Sequence, residues 1–324
     1  MAKTSTVVHL AALIITLIGT GSTTVAAQEF PNQAVRILLG YGAGGGADLA
    51  ARKLAEKMSE LSNQPFIVLN KPGANGNLAA LEVVRAKPDG YTLLWSPSSA
   101  YVSNHLVIKN TPYDPKQDLQ LVSTFTQYGF VLLTHKDTPA SSVSELTELL
   151  KKKNGGFYGT SATSFAACAE LYKLATGLKT QAVNYKTSGD SIRDLAGNRV
   201  DFAFADAAFA LAQAKGGQVK ALAISSQKRI SQAPNLPTMD ESGLAGYELN
   251  GWIGMAAPKA TPPAIVMRLN RWVQQVIAMP DIDKFIRDSG SEPFFLKPED
   301  LSRFQDVQID KWRKIVATGA IELQ

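Results

Sequence analysis

Two glycine-rich loops carry the residue types that bind anions through backbone N–H groups. The first loop covers residues 40–48, follows a predicted strand and opens a predicted helix. The second loop covers residues 72–77 and also stands between a predicted strand and a predicted helix. Glycines there let N–H groups approach an anion at the positive end of the helix dipole. Because ligands of open α/β sheets bind at the carboxyl ends of the strands, the two loops predict one anion-binding edge.

Hydroxyl groups mark the corresponding turns in the second half of the chain. Residues 160–164 and 185–189 follow predicted strands and place Ser and Thr at helix starts, which suits a carboxylate. The same residues could serve only as helix N-caps, and for any single residue both interpretations stay open. Asp206 follows the apolar segment 200–205 and could bind a hydroxyl or amine of the ligand, or cap the next helix. We favour the interpretation that Asp206 binds the ligand.

The first loop also matches the dinucleotide fingerprint G-x-G-x-x-G, spelled by Gly40, Gly42 and Gly45. That function requires an acidic residue at the end of the next strand to hold the ribose. The next predicted strand ends in Asn70 and Lys71 instead. A dinucleotide-binding oxidoreductase is therefore a remote alternative. A further alternative is that the glycines only allow the chain to turn and bind no ligand.

Catalytic and metal-binding patterns are not found after residue 27. His105 and His135 are far apart in sequence, and no Cys or carboxylate pattern accompanies them at ligand spacing. Residues 159–163 lack the final glycine of a nucleophile elbow. The single Cys168 excludes an internal disulfide and is expected to be buried. We expect a protein that is not an enzyme and has no metal or cofactor.

The N-terminus has the pattern of a cleavable signal peptide over residues 1–27. Lys3 precedes an apolar run over residues 7–18, and small residues end at Ala27. The run is too short to span a bilayer, which disfavours a membrane anchor, and no cysteine follows it to accept a lipid. We therefore expect export to the periplasm.

The charge pattern gives no sign of a nucleic-acid partner. The formal net charge is +5, and Lys and Arg residues are scattered with Asp and Glu between them. The longest basic run, residues 151–153, closes a predicted helix, where cations favour the helix dipole. We expect no binding to nucleic acid.

Short β-branched runs alternate with helical patterns, which favours α/β domains with parallel sheets. The chain length suggests two domains. The predicted strands form two series, over residues 35–40, 65–70 and 91–96, and then over residues 130–134, 157–160, 181–184, 200–205 and 219–225. Ser142 and Glu145 form a predicted capping box, and Gly177 and Gly197 stand where a helix end needs a left-handed residue.

From the first glycine loop onward, the sequence resembles the substrate-binding proteins of tripartite tricarboxylate transporters, the Bug family. The first family motif is formed by Tyr41, Gly44, Gly45, Asp48, Ala51 and Arg52. The next two blocks are residues 70–77 and 88–94. Later landmarks that resemble the family are residues 112–115, 184–186, 236–238 and 246–247, Trp252, and residues 257–258. Their order over nearly the whole chain makes the match specific.

The resemblance implies two Rossmann-like α/β domains with a ligand cleft between them, of the periplasmic-binding-protein type II kind. It divides the chain into domain 1, residues 28–128 plus 249–324, and domain 2, residues 129–248, joined by crossing strands. It also implies that both glycine loops bind one carboxylate of the ligand, while domain 2 recognises the remainder. Residues 159–166 are shorter than the family's Ser-Ser-His turn. The ligand, whether a di- or tricarboxylate, an aromatic acid or an amino acid, is therefore not carried over.

The candidate ligand-binding residues come from the glycine loops, the end of the third strand and the turns of domain 2. They are Tyr41, Ala43, Gly44, Gly45, Asp48, Gly73, Ala74, Asn75, Gly76, Asn77, Ser96, Ser98, Ser161, Thr163, Ser164, Tyr185 and Asp206. The expected partners are a small carboxylate and the membrane subunits of a tripartite tricarboxylate transporter, with the protein itself a monomer. A receptor that reports its ligand to a membrane sensor would bind identically and stays an alternative.

Overall fold

The computed structural model describes residues 30–319 and residue 321. The predicted signal peptide lies outside the described residues. Within this part of the chain, no helix is both long and apolar enough to cross a bilayer. The strands form two separate sheets, as the two predicted series of strands suggest.

The first sheet combines N-terminal strands with two strands from the C-terminal part of the chain. Its strands are β1 (Val35–Leu39), β2 (Phe66–Asn70), β3 (Thr92–Pro97), β4 (Leu119–Tyr128), β10 (Gly251–Pro258) and β11 (Glu292–Pro293). They are arranged in the order β11-β4-β10-β3-β1-β2. β1 pairs in parallel with both β2 and β3, so the carboxyl ends of these three strands share one edge.

The second sheet is formed by the intervening part of the chain. Its strands are β5 (Phe130–His135), β6 (Phe157–Thr160), β7 (Gln181–Asn184), β8 (Phe202–Asp206) and β9 (Val219–Ile224). They are arranged in the order β7-β6-β8-β5-β9. β6 pairs in parallel with β7 and β8, so the carboxyl ends of these three strands also share one edge.

Antiparallel pairs correct the expectation of purely parallel sheets. β10 runs antiparallel to β3 and β4, and β5 runs antiparallel to β8 and β9. The chain passes from the first sheet to the second through Gly129 alone, between β4 and β5. The residue pattern predicted neither β4 nor β10. In β10 every residue is buried, so the strand shows no alternation of polar and apolar residues.

Helices pack against both sheets. They are α1 (Gly46–Ser62), α2 (Asn77–Val84), α3 (Asn104–Val107), α4 (Val143–Lys152), α5 (Thr163–Thr176), α6 (Ser188–Ala196), α7 (Ala207–Lys215), α8 (Pro263–Ile277), α9 (Pro280–Asp288) and α10 (Pro298–Val316). The capping box predicted for α4 is confirmed in part: Ser142 Oγ accepts a hydrogen bond from Glu145 N–H at 3.2 Å, but the Glu145 carboxylate accepts from Ser141 N–H instead of Ser142 N–H. Gly177 is left-handed as predicted, with φ of 72°. The prediction for Gly197 is wrong: its φ is −85°, and the left-handed residue is Asn198.

The C-terminal helix connects the two sheets. α10 packs against β4 of the first sheet and against α5, which covers the second sheet. Trp312 and Ile315 of α10 belong to a buried apolar cluster that also contains Tyr158 and Phe202 from the second sheet. One apolar core therefore runs between the two sheets and positions their strand ends around a common space.

Candidate functional site

Three loops meet at one edge of the first sheet. The two glycine loops follow β1 and β2, and the short turn at residues 98–100 follows β3. The predicted adjacency of the glycine loops is confirmed, since β1 and β2 are paired and parallel. The loops also touch, because a Cβ built on Gly40 would lie only 2.3 Å from Gly76 Cα. Residue 40 must be glycine for the two backbones to approach so closely.

A buried polar cluster holds the first glycine loop in place through hydrogen bonds to its backbone. The Asp48 carboxylate is 2% exposed and accepts hydrogen bonds from Gly44 N–H at 2.9 Å and from Arg52 at 3.0 Å. Asn70 Nδ2 donates to Asp48 Oδ1 at 2.9 Å and to the Tyr41 carbonyl at 3.0 Å. These hydrogen bonds, that from Arg52 above all, lower the pKa of Asp48 to about 2. The asparagine at the position where a dinucleotide site needs an acid is thus a structural part of the loop.

The second glycine loop has four consecutive residues with positive φ. They are Gly73 at 138°, Ala74 at 47°, Asn75 at 53° and Gly76 at 88°. A left-handed conformation is unfavourable by about 1–2 kcal/mol for a residue with a Cβ, so neighbouring contacts must hold it. Asn104 Nδ2 provides such contacts, with hydrogen bonds to the Asn75 carbonyl at 3.0 Å and to Asn77 Oδ1 at 2.6 Å. The loop is thereby held in shape by the protein itself.

We expect Asn104→Ala to destabilise the protein by about 1–3 kcal/mol, because both of these hydrogen bonds are lost from a buried position. Ligand binding should weaken at the same time, since the loop is no longer held. Urea unfolding monitored by circular dichroism measures the first effect. Asn235→Ala removes an exposed amide and serves as the matched control, with a change within about 0.5 kcal/mol. Equal stability of the two variants would contradict the expectation.

A cavity of about 420 Å³ lies between the loops of the first sheet and the strand ends of the second. This volume is in the range of small-molecule binding sites. The structure brings seven of the predicted residues together in its lining: Tyr41, Asn75, Ser98, Ser161, Thr163, Ser164 and Asp206. The two strand edges that the sequence singled out therefore face one space.

The other predicted residues do not line this cavity. Five loop residues are exposed beside it: Ala43, Gly44, Gly45, Gly73 and Ala74. Four residues are buried: Asp48, Gly76, Asn77 and Ser96.

Tyr185 Oη donates a hydrogen bond to Asp194 at 2.8 Å, and burial raises the pKa of Tyr185 to about 12. In the same turn Thr187 acts as an N-cap, because its hydroxyl accepts a hydrogen bond from Asp190 N–H at 3.2 Å.

The N-terminus of α5 forms the wall opposite the glycine loops. Its first two residues, Thr163 and Ser164, line the cavity together with the preceding Ala162, which offers no side-chain cap. The N–H groups of Phe165 and Ala166 pair with the Ala162 carbonyl, whereas those of Thr163 and Ser164 have no acceptor among the described residues. Unpaired N–H groups at the start of a helix bind anions. No side chain caps α5, so N-capping does not account for these hydroxyl residues, and ligand binding by them stays a prediction.

Several cavity residues were missed by the sequence reasoning, among them Asn104, Tyr128, Asn250 and Trp312. Tyr128 and Asn250 stand where the chain crosses between the sheets. The crossing strands implied by the family resemblance were a signal that could have found these two residues. Trp312 comes from α10, and no local pattern in that helix indicates a cavity. Asn104 lies on a short helix that becomes important only because it contacts the second glycine loop.

The lining holds very little charge. It contains no Lys, Arg or His, and Asp206 is its only Asp or Glu. The Asp206 side chain remains open to the cavity, but desolvation by the surrounding protein raises the pKa of its carboxyl group. An anion bound in this cavity would therefore have N–H and hydroxyl groups as partners and no salt bridge.

Two α/β sheets whose strand ends face a common cavity define the class of two-domain solute-binding proteins. The family described as "Tripartite tricarboxylate transporter family receptor" matches this chain over residues 50–321. The chain therefore belongs to this receptor family, and the resemblance seen in the sequence is confirmed.

Individual relatives agree with this assignment over most of their length. Protein BugT of Bordetella pertussis is 30% identical over 301 residues, which are 91% of this chain and 92% of BugT. The structure of R. palustris Rpa4515 with adipate is similar with a TM-score of 0.73 and 31% identity, and the match covers 90% of this chain and 99% of that one. The periplasmic binding protein BugD is similar with a TM-score of 0.70 and 30% identity, and the match covers 91% of this chain and 100% of that one.

Proposed function

We propose that this protein captures a small carboxylate in the cavity and delivers it to the membrane subunits of a tripartite tricarboxylate transporter. The observation that carries the proposal is the pair of unpaired N–H groups at the start of α5, facing the glycine loops across one cavity. Such groups bind an anion without any counter-cation. The adipate of the R. palustris relative supports a carboxylate as the ligand.

We further propose that domain 1 comprises residues 28–128 plus 249–324 and that domain 2 comprises residues 129–248. The separation of the strands into two sheets supports these boundaries. Binding is then reversible trapping, in which contacts from both domains hold the ligand. A ligand closes the cleft only to the extent that it binds the closed arrangement more tightly. No bond is made or broken, so we propose a binding protein without enzymatic activity.

The signal-peptide pattern and the periplasmic relative BugD support a periplasmic location. There the protein acts as a monomer that meets its membrane partners in the ligand-bound state. A receptor for a membrane sensor would use the same cavity and is the second candidate. Uptake of the ligand by a strain that lacks the gene separates the two, since loss of uptake supports transport and unchanged uptake supports sensing.

We expect carboxylates to raise the melting temperature of the protein, while their uncharged amides and NAD leave it unchanged. A ligand that binds only the native state stabilises it by RT ln(1 + [L]/Kd), about 2.7 kcal/mol at a hundredfold excess over Kd. Differential scanning fluorimetry against a panel of acids, their amides and NAD measures the shift. A shift with NAD alone would overturn the proposal in favour of the dinucleotide alternative.

A further inference from the structure

The cavity contains one negative charge that the fold does not balance. Asp206 is the only Asp or Glu in the lining, and no Lys, Arg or His stands beside it there. It precedes α7, yet its side chain does not cap that helix. Among the described residues, no other residue donates a hydrogen bond to its carboxylate. The side chain is exposed towards the cavity, where a ligand can reach it.

The surroundings of Asp206 make an unpaired charge unfavourable. Phe130 stands directly opposite it in the antiparallel pair of β5 and β8. Burial raises the pKa of Tyr128, and the nearby charge of Asp206 raises it further. Both rings line the cavity. A carboxylate beside aromatic rings is stabilised when an opposite charge comes next to it.

Aromatic rings stand around Asp206 in the same lining. Trp312, Tyr128 and Phe130 add aromatic faces, which attract cations. These features favour a ligand group that donates hydrogen bonds and carries positive charge.

The cavity therefore offers donors and acceptors to one ligand. The N–H groups of Thr163 and Ser164 suit a carboxylate, whereas the carboxylate of Asp206 suits a cation. We propose that the ligand is a carboxylate that also carries an ammonium group, and that Asp206 binds this group. The proposal rests on the proposed function and narrows it, because a second carboxylate beside Asp206 would be repelled.

Isothermal titration calorimetry with matched probes tests the proposal on the mature chain after removal of any co-purified ligand. L-aspartate is compared with succinate and L-malate, L-glutamate with glutarate, and 5-aminopentanoate with pentanoate. We expect at least one ammonium-bearing acid to bind more tightly than its matched acid. Asp206→Asn keeps the shape of the side chain and should weaken that binding roughly 10- to 100-fold, as expected for loss of a charged hydrogen bond.

Asp137→Asn removes an equally negative but 72% exposed side chain that lies outside the cavity, and affinity should stay within about twofold. Tightest binding of an acid without an ammonium group, or equal affinity in Asp206→Asn, would overturn the inference and leave the carboxylate function standing. Binding of L-malate but not L-aspartate would mean that Asp206 binds a hydroxyl group of the ligand, and this result would also overturn the inference. If no acid in this panel binds, the inference fails, and the proposed function is then decided by the wider panel of acids in the thermal-shift experiment.

Discussion

Asp48→Asn is expected to destabilise the protein by about 2 kcal/mol at pH 7 and to weaken carboxylate binding. The carboxylate is buried and accepts hydrogen bonds from Gly44 N–H, Arg52 and Asn70. A drop in pKa from 3.8 to about 2 corresponds to roughly 2.5 kcal/mol, part of which is lost to solvent screening because Arg52 is half exposed. An asparagine retains the shape of the side chain but not the charge that holds the loop.

The same pKa gives the variant a distinct pH signature. Because the folded-state pKa is lowered, the stabilisation is fully present above pH 3.8 and is lost as the pH falls through about 2. The parent should therefore lose more stability than Asp48→Asn between pH 5 and pH 2. Urea unfolding at several pH values measures both curves.

Asp310→Asn is the matched control for Asp48→Asn. Asp310 also pairs with an arginine on its own helix, at 2.8 Å, but both side chains are more than 60% exposed. An exposed pair contributes little, so we expect a change within about 0.5 kcal/mol. If Asp48→Asn proved no more destabilising than this control, the buried cluster would not hold the loop.

The sequence predicted the parts of the site that depend on local chemistry. Glycine-rich segments after β-branched runs indicated two loops at strand ends, and the parallel pairing of β1 and β2 places them together. Ser and Thr at the start of α5 indicated the opposite wall. Such features are encoded within a few residues, because a turn and a helix start need particular side chains at particular positions.

The parts that depend on distant contacts could not be predicted in this way. Asp48 was expected in the binding site, yet its carboxylate is buried against Asn70, which is distant in sequence. Trp312 reaches the cavity only because α10 packs between the sheets. β10 has no alternating pattern because both of its faces are buried. Each case follows from tertiary packing, which one stretch of sequence does not show.

Gly40→Ala is expected to lower the free energy of unfolding by about 3 kcal/mol. The added Cβ would lie 2.3 Å from Gly76 Cα and 2.9 Å from the Gly76 carbonyl oxygen. Both neighbours are backbone atoms, so no side chain can move aside, and the two glycine loops must separate. Loop separation should also abolish the thermal shift with carboxylates in whatever protein remains folded.

Gly42→Ala is the control for Gly40→Ala, because a Cβ built on Gly42 has no atom within 4 Å apart from those of its own residue and its two chain neighbours. Its stability should change by less than about 1 kcal/mol. The comparison also bears on the first loop, since Gly40 and Gly42 are equally essential to a dinucleotide fingerprint. If the loop instead binds a carboxylate, only Gly40, which contacts the second glycine loop, must be glycine for the protein to fold. Equal destabilisation by the two substitutions, measured by urea unfolding, would show that close contact between the loops does not determine the requirement for glycine at residue 40.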